Sequence, residues 1–300
     1  MNEGNIGLTG ENLAFIVGCP RSGTTWLQRL LATHPQIKTG QESRVFVYIG
    51  SQFRLWRQDL ASAGVMGRGG TGLACYLNEE EFLAIQKKYL ASILGPMLKE
   101  LPPGQIFLEK TPEHALFIPE IVRLLPAAKI IHLVRDPRDV VASLLAAARS
   151  WGRPWAPRQV KSAVRKWHQH VSAAQTAGEL LTPGQFWEIR YEDLYDNPVK
   201  WLREAASFLQ LPWSDTEIGL AVAANTADEL RQGKGTPIPI YGEHGKQPNS
   251  VVREPKDFVR QARPGSWRED LTLLERWRLW YALHRIAPAG LRYQKNKPLV

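Results

Sequence analysis

FIVGCPRSGTTWLQRLLATHP, residues 15–35, decides the fold. Phe15-Ile16-Val17 is a short apolar run of the kind that fills a buried strand, and Thr24 to Ala32 put Leu27, Leu30 and Leu31 on one helical face. A strand that feeds a Gly-bearing loop into a helix N-terminus leaves backbone N–H groups without intrahelical partners, which makes an anion cradle. The spacing Gly18-x-x-x-x-Gly23-x-Thr25 is that of a nucleotide P-loop, but Thr24 stands where the P-loop lysine belongs. Arg21 supplies a forked cation earlier in the loop, and Thr24 and Thr25 add hydroxyl donors. That donor set suits a terminal group with several oxygens and less charge than a γ-phosphate.

Outward from this loop, Leu13–Gly18, Gln105–Glu109, Lys129–Val134 and Gln185–Arg190 read as buried strands separated by helical patterns. Such alternation predicts an open, mainly parallel α/β sheet covered by helices on both faces. The 300 residues are read as one domain, 1–300. DPRDVVASLLAAARS opens a helix with Asp136 as N-cap and Pro137 at its first position, and DNPVKWLREAASFLQLP repeats that start with Asn197 and Pro198. SWREDLTLLERWRLWYALHRIAP reads as one amphipathic C-terminal helix, with Trp277 and Trp280 as packing residues, like Trp201. Residues 231–256 are Gly/Pro-rich and too long for a passive connection, which predicts a lid or a disordered loop.

Lys and Arg number 38 against 29 Asp and Glu, a net charge of +9 that suits an anionic ligand or surface. No apolar run reaches the roughly 20 residues of a membrane span, and the first residues carry no secretory pattern. Cys19 and Cys75 form neither a disulfide framework nor a metal spacing, so a reducing cytoplasm and no metal are expected.

The string PRSGTTWL resembles the 5′-phosphosulfate loop of the sulfotransferases, which move a sulfuryl group from 3′-phosphoadenosine 5′-phosphosulfate (PAPS) and leave adenosine 3′,5′-bisphosphate (PAP). The resemblance implies that Arg21, Ser22, Gly23, Thr24, Thr25 and Trp26 hold the 5′ end of PAPS. KIIHLVRDPRDVVASLL is similar to that family's 3′-phosphate element, with Arg135 and Ser143 at the ligand positions. RYEDL places Tyr191 near the adenine. VRQARPGSWRED resembles the family's basic segment, with Arg260 on the usual arginine, Arg263 as a substitute and Gly265 in the Gly-x-Trp ending. Arg135 also falls at a strand's carboxyl end, where ligands of open α/β sheets sit.

On the acceptor side, Lys110 of LEKTPEH is expected to stabilise the leaving oxygen. Pro112 stands where cytosolic sulfotransferases often carry a catalytic histidine, with His114 a displaced substitute. HPQIKTGQESRVF resembles the base segment of the tyrosylprotein sulfotransferases and puts Glu42 on the general-base position and Gln41 on the glutamate before it. Trp151 and Trp155, in an irregular stretch, either line an acceptor pocket or pack locally. The expected reaction is in-line sulfuryl transfer to a small-molecule or saccharide hydroxyl (an alcohol, a phenol or a sugar), with no nucleic-acid partner and the oligomeric state open. The rival readings are a P-loop kinase with a displaced lysine and a nucleic-acid-binding module, the latter lacking any helix-turn-helix, zinc or RRM signature.

Overall fold

The computed structural model describes residues 8–66, 72–241, 250–255 and 257–287. Five parallel strands, β1 (Leu13–Gly18), β2 (Ile37–Thr39), β3 (Ile106–Lys110), β4 (Lys129–Val134) and β5 (Phe186–Arg190), form one sheet in the order β2-β3-β1-β4-β5. β2 escapes the sequence reading because three residues are too few to show a period. It is fixed from outside, by pairing Ile37 with Ile106 and by the Thr39 hydroxyl donating to the Leu108 carbonyl at 2.6 Å.

The helices are α1 (Thr24–Leu31), α2 (Val45–Met66), α3 (Glu79–Lys99), α4 (Ile118–Leu124), α5 (Pro137–Arg149), α6 (Val160–Gly178), α7 (Tyr191–Asp196), α8 (Pro198–Leu209), α9 (Asp215–Ala224), α10 (Ala227–Arg231), α11 (Trp267–Asp270) and α12 (Leu273–Ile286). β1 shows why they cover both faces. Its odd residues Leu13, Phe15 and Val17 pack with Phe46, Phe53 and Phe82 of α2 and α3, while Ala14 and Ile16 pack with Leu27, Leu31 and Leu202 of α1 and α8. Each of the Leu, Ile, Val and Phe side chains, fully buried, contributes roughly 1.5–3 kcal/mol. A third cluster joins α5, α6 and α12.

Asp136 caps α5 as the sequence indicates, its carboxylate accepting from the Arg138 N–H at 2.8 Å. Two expectations change. The C-terminal helix is broken at Leu271–Thr272, because Thr272 and Glu275 form a capping box that starts α12 afresh. Trp277 and Trp280 are not packing residues: they are 61% and 55% exposed. Within 231–256, the described residues are neither a free lid nor a loose loop. Pro239 and Val251 form an antiparallel bridge, and the buried Arg29 binds Thr236 O and Glu254. Residues 242–249 and 256 lie outside the described residues.

In this strand order the chain leaves β1 toward β3 and returns to its other side with β4 and β5. The crevice above the carboxyl end of β1 is thus the switch point where open α/β sheets bind ligands.

Candidate active site

The loop after β1 turns at Gly23, which precedes α1 with φ of 98° and offers no side-chain cap. A Cβ there would lie 2.6 Å from the Tyr191 ring, so both the backbone and the close approach require glycine. The first N–H groups of α1 therefore face the crevice without a side-chain competitor. Cys19, in the same loop, is buried, and burial pushes its thiol up, which makes it a packing residue rather than a nucleophile. Ser22 is also buried, and its hydroxyl does not line the crevice.

Arg21 takes a left-handed backbone conformation, φ 77°, and its side chain crosses the crevice. Its Nε donates to Ser143 Oγ at 3.0 Å, its Nη2 donates to the Phe258 carbonyl at 2.6 Å, and its guanidinium lies 4.5 Å from the Phe258 ring centroid. The sequence placed Arg21 and Ser143 at opposite ends of the nucleotide; here one guanidinium spans from the loop to α5. Burial lowers the Arg21 pKa, with Arg135 and Arg260 adding to the effect, to about 10. Three guanidinium groups thus share one wall.

Arg135, at the carboxyl end of β4, is buried, with its guanidinium 4.2 Å from the centroid of the Tyr191 ring. Its Nε has no hydrogen-bond partner among the described residues. A buried, unsatisfied guanidinium N–H costs free energy unless a ligand takes it. Tyr191, whose hydroxyl donates to the Ala262 carbonyl, is pushed up to about 12 by burial. Trp26 stands edge-on to Tyr191 at 5.5 Å and is fixed by its Nε1 donating to the Asn225 carbonyl at 3.0 Å.

At the other end, Lys110 closes β3 beside Thr25: its Nζ donates to Thr25 Oγ1 at 3.2 Å and ion-pairs with Glu42. Lys110 is 5% exposed and Glu42 40%, so the carboxylate faces the crevice and the ammonium sits behind it. Glu109, the neighbour of Lys110, holds the base segment in place. It accepts from Ser43 Oγ at 2.7 Å and from Thr111 Oγ1 at 2.8 Å. Burial alone would raise the Glu109 pKa, but His114, Ser43 and Thr111 together hold it down at about 2.

His114, the displaced substitute base, is fully buried. Its Nδ1 lies 3.0 Å from Glu109 Oε2, and its Nε2 accepts the Phe46 N–H at 3.2 Å, so both nitrogens face the buried base segment and not the crevice. The structure therefore gives His114 a supporting place and not a base's. Gln41 likewise turns away, exchanging hydrogen bonds with the Tyr241 backbone at 2.8 and 3.0 Å.

Residues 257–266 strap over the crevice. Asp139 of α5 accepts from the N–H groups of Gly265 at 2.8 Å and Trp267 at 3.0 Å. Gly265 thus anchors the strap and does not line the crevice. Arg260 lines it and pairs with Asp270 at 2.6 Å, whereas Arg263 points out to Glu269 at 2.6 Å. Of the two arginines, only Arg260 faces the cavity.

The cavity in this crevice holds about 410 Å³. Thr24, Thr25 and Glu42 line one end, Arg135 and Ser143 another, and Trp151 and Trp155 also line it. Sequence reasoning missed Phe258, Glu254 and Tyr195 on its wall, and the Asp139 bracket. Arg29 and Glu254 are 225 residues apart, and no local pattern announces their pairing. Among the described residues no group of three or more His, Cys, Asp or Glu side chains forms a metal site.

A model of the sulfotransferase family matches residues 14–215, which hold the loop, Glu42, Lys110 and Arg135 but stop short of the strap. The chain is 26% identical over 203 residues to protein-tyrosine sulfotransferase 1 of Danio rerio, covering 68% of this chain and 54% of that one. It is 26% identical over 202 residues to protein-tyrosine sulfotransferase 1 of Homo sapiens, covering 67% and 52%. It thus spans about half the length of these relatives. The fold superposes on mouse sulfotransferase SULT7A1 complexed with PAP at a TM-score of 0.60 and 17% identity, covering 94% of this chain and 87% of that one. It superposes on the sulfotransferase domain from the curacin biosynthetic pathway at 0.59 and 19% identity, covering 96% and 99%. The match takes in the loop after β1 and the part of the crevice wall that precedes the strap, and the chain belongs to the sulfotransferase family.

Proposed function

We propose that this chain moves the sulfuryl group of PAPS to a phenolic hydroxyl. The observation that carries the donor is the pairing of two anion sites in one cavity. The α1 N-terminus with Thr25 and Lys110 forms one, and Arg135, with its unsatisfied Nε, forms the other beside Arg21 and Ser143. PAPS carries a 5′-phosphosulfate and a 3′-phosphate and needs both. Trp26, Tyr191 and Tyr195 form the aromatic wall for its adenine.

In the transfer, the acceptor oxygen attacks sulfur, the bond from sulfur to the bridging phosphate oxygen breaks, and the acceptor proton passes to Glu42. Lys110 and the α1 amides take up the charge that grows on the departing oxygen. When Lys110 turns to that oxygen it leaves Glu42, and the carboxylate is released for the proton. These residues supply the charge stabilisation from the protein alone, without a metal.

The phenol rests on the relatives' names, since a tyrosine side chain is a phenol, and on the Glu42 carboxylate that lines the cavity; Trp151 and Phe258 pack against the Arg21 guanidinium on the Ser143 side. The test is a panel of acceptors with sulfur-labelled PAPS: a nitrophenol, a tyrosine-containing peptide, an alkyl alcohol and a hexose, each in EDTA. Aryl sulfate formed fastest supports the reading. Label on the hexose or the alkyl alcohol alone overturns the phenol, and label on none overturns the reaction.

A further inference from the structure

The exposed face of α12 serves nothing in the crevice. At about 100° per residue, Trp280, Leu273, Trp277, Tyr281 and Leu274 fall within one arc of roughly 120°. All five are exposed, Leu273 by 81%. The opposite face, Leu279, Ala282 and Leu283, is buried in the cluster shared with α5 and α6. An aromatic and aliphatic face of this kind, with His284 packed at 4.0 Å on the Trp280 ring inside it, is a docking surface, not scattered surface apolarity.

Its charge identifies the occupant. The three carboxylates of α11 and α12 are all engaged by the protein's own arginines: Glu269 by Arg263, Asp270 by Arg260 and Glu275 by Arg149. Arg278 and Arg285 are exposed along one edge of the arc, and Arg276 lies on the other. α6, against which α12 packs, lies in residues 140–178, which hold six Lys and Arg and no Asp or Glu. Tryptophan, tyrosine and leucine facing outward from a helix flanked by arginine are the chemistry of the anionic bilayer boundary, where rings sit among the headgroups and cations meet lipid phosphate. A second copy docked through the same face offers the same arginines and no unengaged carboxylate of α11 or α12.

We propose that α12 docks the protein on an anionic phospholipid surface, with Trp277, Trp280 and Tyr281 entering the headgroup region and Arg278 and Arg285 pairing with lipid phosphate. Arg149, which holds Glu275 in the first turn of α12, stands two residues before the cavity residue Trp151. Docking therefore brings the cavity rim close to the lipid surface. The described helices include none long and apolar enough to span a membrane, so the contact is peripheral.

The test is co-sedimentation of the full chain with vesicles of phosphatidylcholine alone and of phosphatidylcholine with phosphatidylglycerol. Binding to the anionic vesicles, weakened by salt and absent from the neutral ones, is expected. Trp277→Glu with Trp280→Glu should weaken it at least about tenfold while the PAP-induced thermal shift stays unchanged, because both residues are exposed and neither lines the cavity. Three results overturn the proposal: no binding to either vesicle, binding that the double substitution leaves intact, or a concentration-dependent dimer that the double substitution abolishes while vesicle binding is absent.

Discussion

Arg21 Nε and Ser143 Oγ lie 3.0 Å apart across 122 residues of chain, tying the loop after β1 to α5. Arg21 belongs by its backbone to the loop of one proposed anion site and reaches the other by its side chain, so removing it should cost more than removing Ser143. Arg21→Ala is expected to weaken PAP roughly 10- to 100-fold, the 1.5–3 kcal/mol of a charge-assisted hydrogen bond, and Ser143→Ala less. Titration calorimetry on both single variants and the double variant checks this. Losses that simply add would show that the two side chains act independently on the ligand.

Arg135 should discriminate the 3′-phosphate. With its Nε unsatisfied and its guanidinium held against Tyr191, Arg135→Ala should weaken PAP by roughly tenfold or more and barely change adenosine 5′-phosphosulfate, which lacks that phosphate. Equal losses for the two nucleotides would remove Arg135 from this role.

Much of this site was legible in the sequence, because its motifs are local. The loop, Arg135 and Ser143 on one strand-to-helix turn, and Glu42 and Lys110 on two short strings each carry their own spacing. What escaped is what depends on distant partners. The left-handed turn at Arg21 redirects its side chain to Phe258, 237 residues on, and Arg29 finds Glu254 only through the folded strap. Trp277 and Trp280 misled for a different reason: the helical period identifies a face but not which face is covered. β2 is held by its neighbours and by Thr39, not by its own composition.

His114 lies buried behind the base segment, a place that predicts a role in stability rather than in proton transfer. His114→Ala should lower the melting temperature, since it removes a fully buried partner of Glu109 and of the Phe46 N–H, a loss of about 1–3 kcal/mol. At a temperature where the variant stays folded, kcat should stay within about threefold of the wild type. Turnover abolished in a folded variant would restore His114 as the base.

Glu109 should make the protein acid-sensitive. Its folded pKa, about 2, lies below the ordinary 4.5, so its contribution is fully present above pH 4.5 and is lost as pH falls toward 2. Urea unfolding followed between these limits should show a decline in stability that Glu109→Gln lacks, the variant being already weaker at neutral pH. A parallel decline in both proteins would assign the acid sensitivity to other carboxylates.

Lys110→Ala should lower kcat by about 10²–10³-fold and change PAP affinity little, because its ammonium matters most when charge develops on the departing oxygen. Steady-state kinetics with a saturating donor separates the two effects. A rise in KM for PAPS with kcat unchanged would make Lys110 a binding residue only.

Glu42→Gln tests the central claim most directly. The variant keeps the shape of the base but cannot accept the acceptor's proton. Conversion of PAPS to PAP in the presence of a phenol and EDTA, measured alongside PAP affinity, should fall by about 10²–10⁴-fold at unchanged affinity. Conversion at the wild-type rate by Glu42→Gln, or no conversion of PAPS by the wild-type protein with any hydroxyl acceptor, would contradict it.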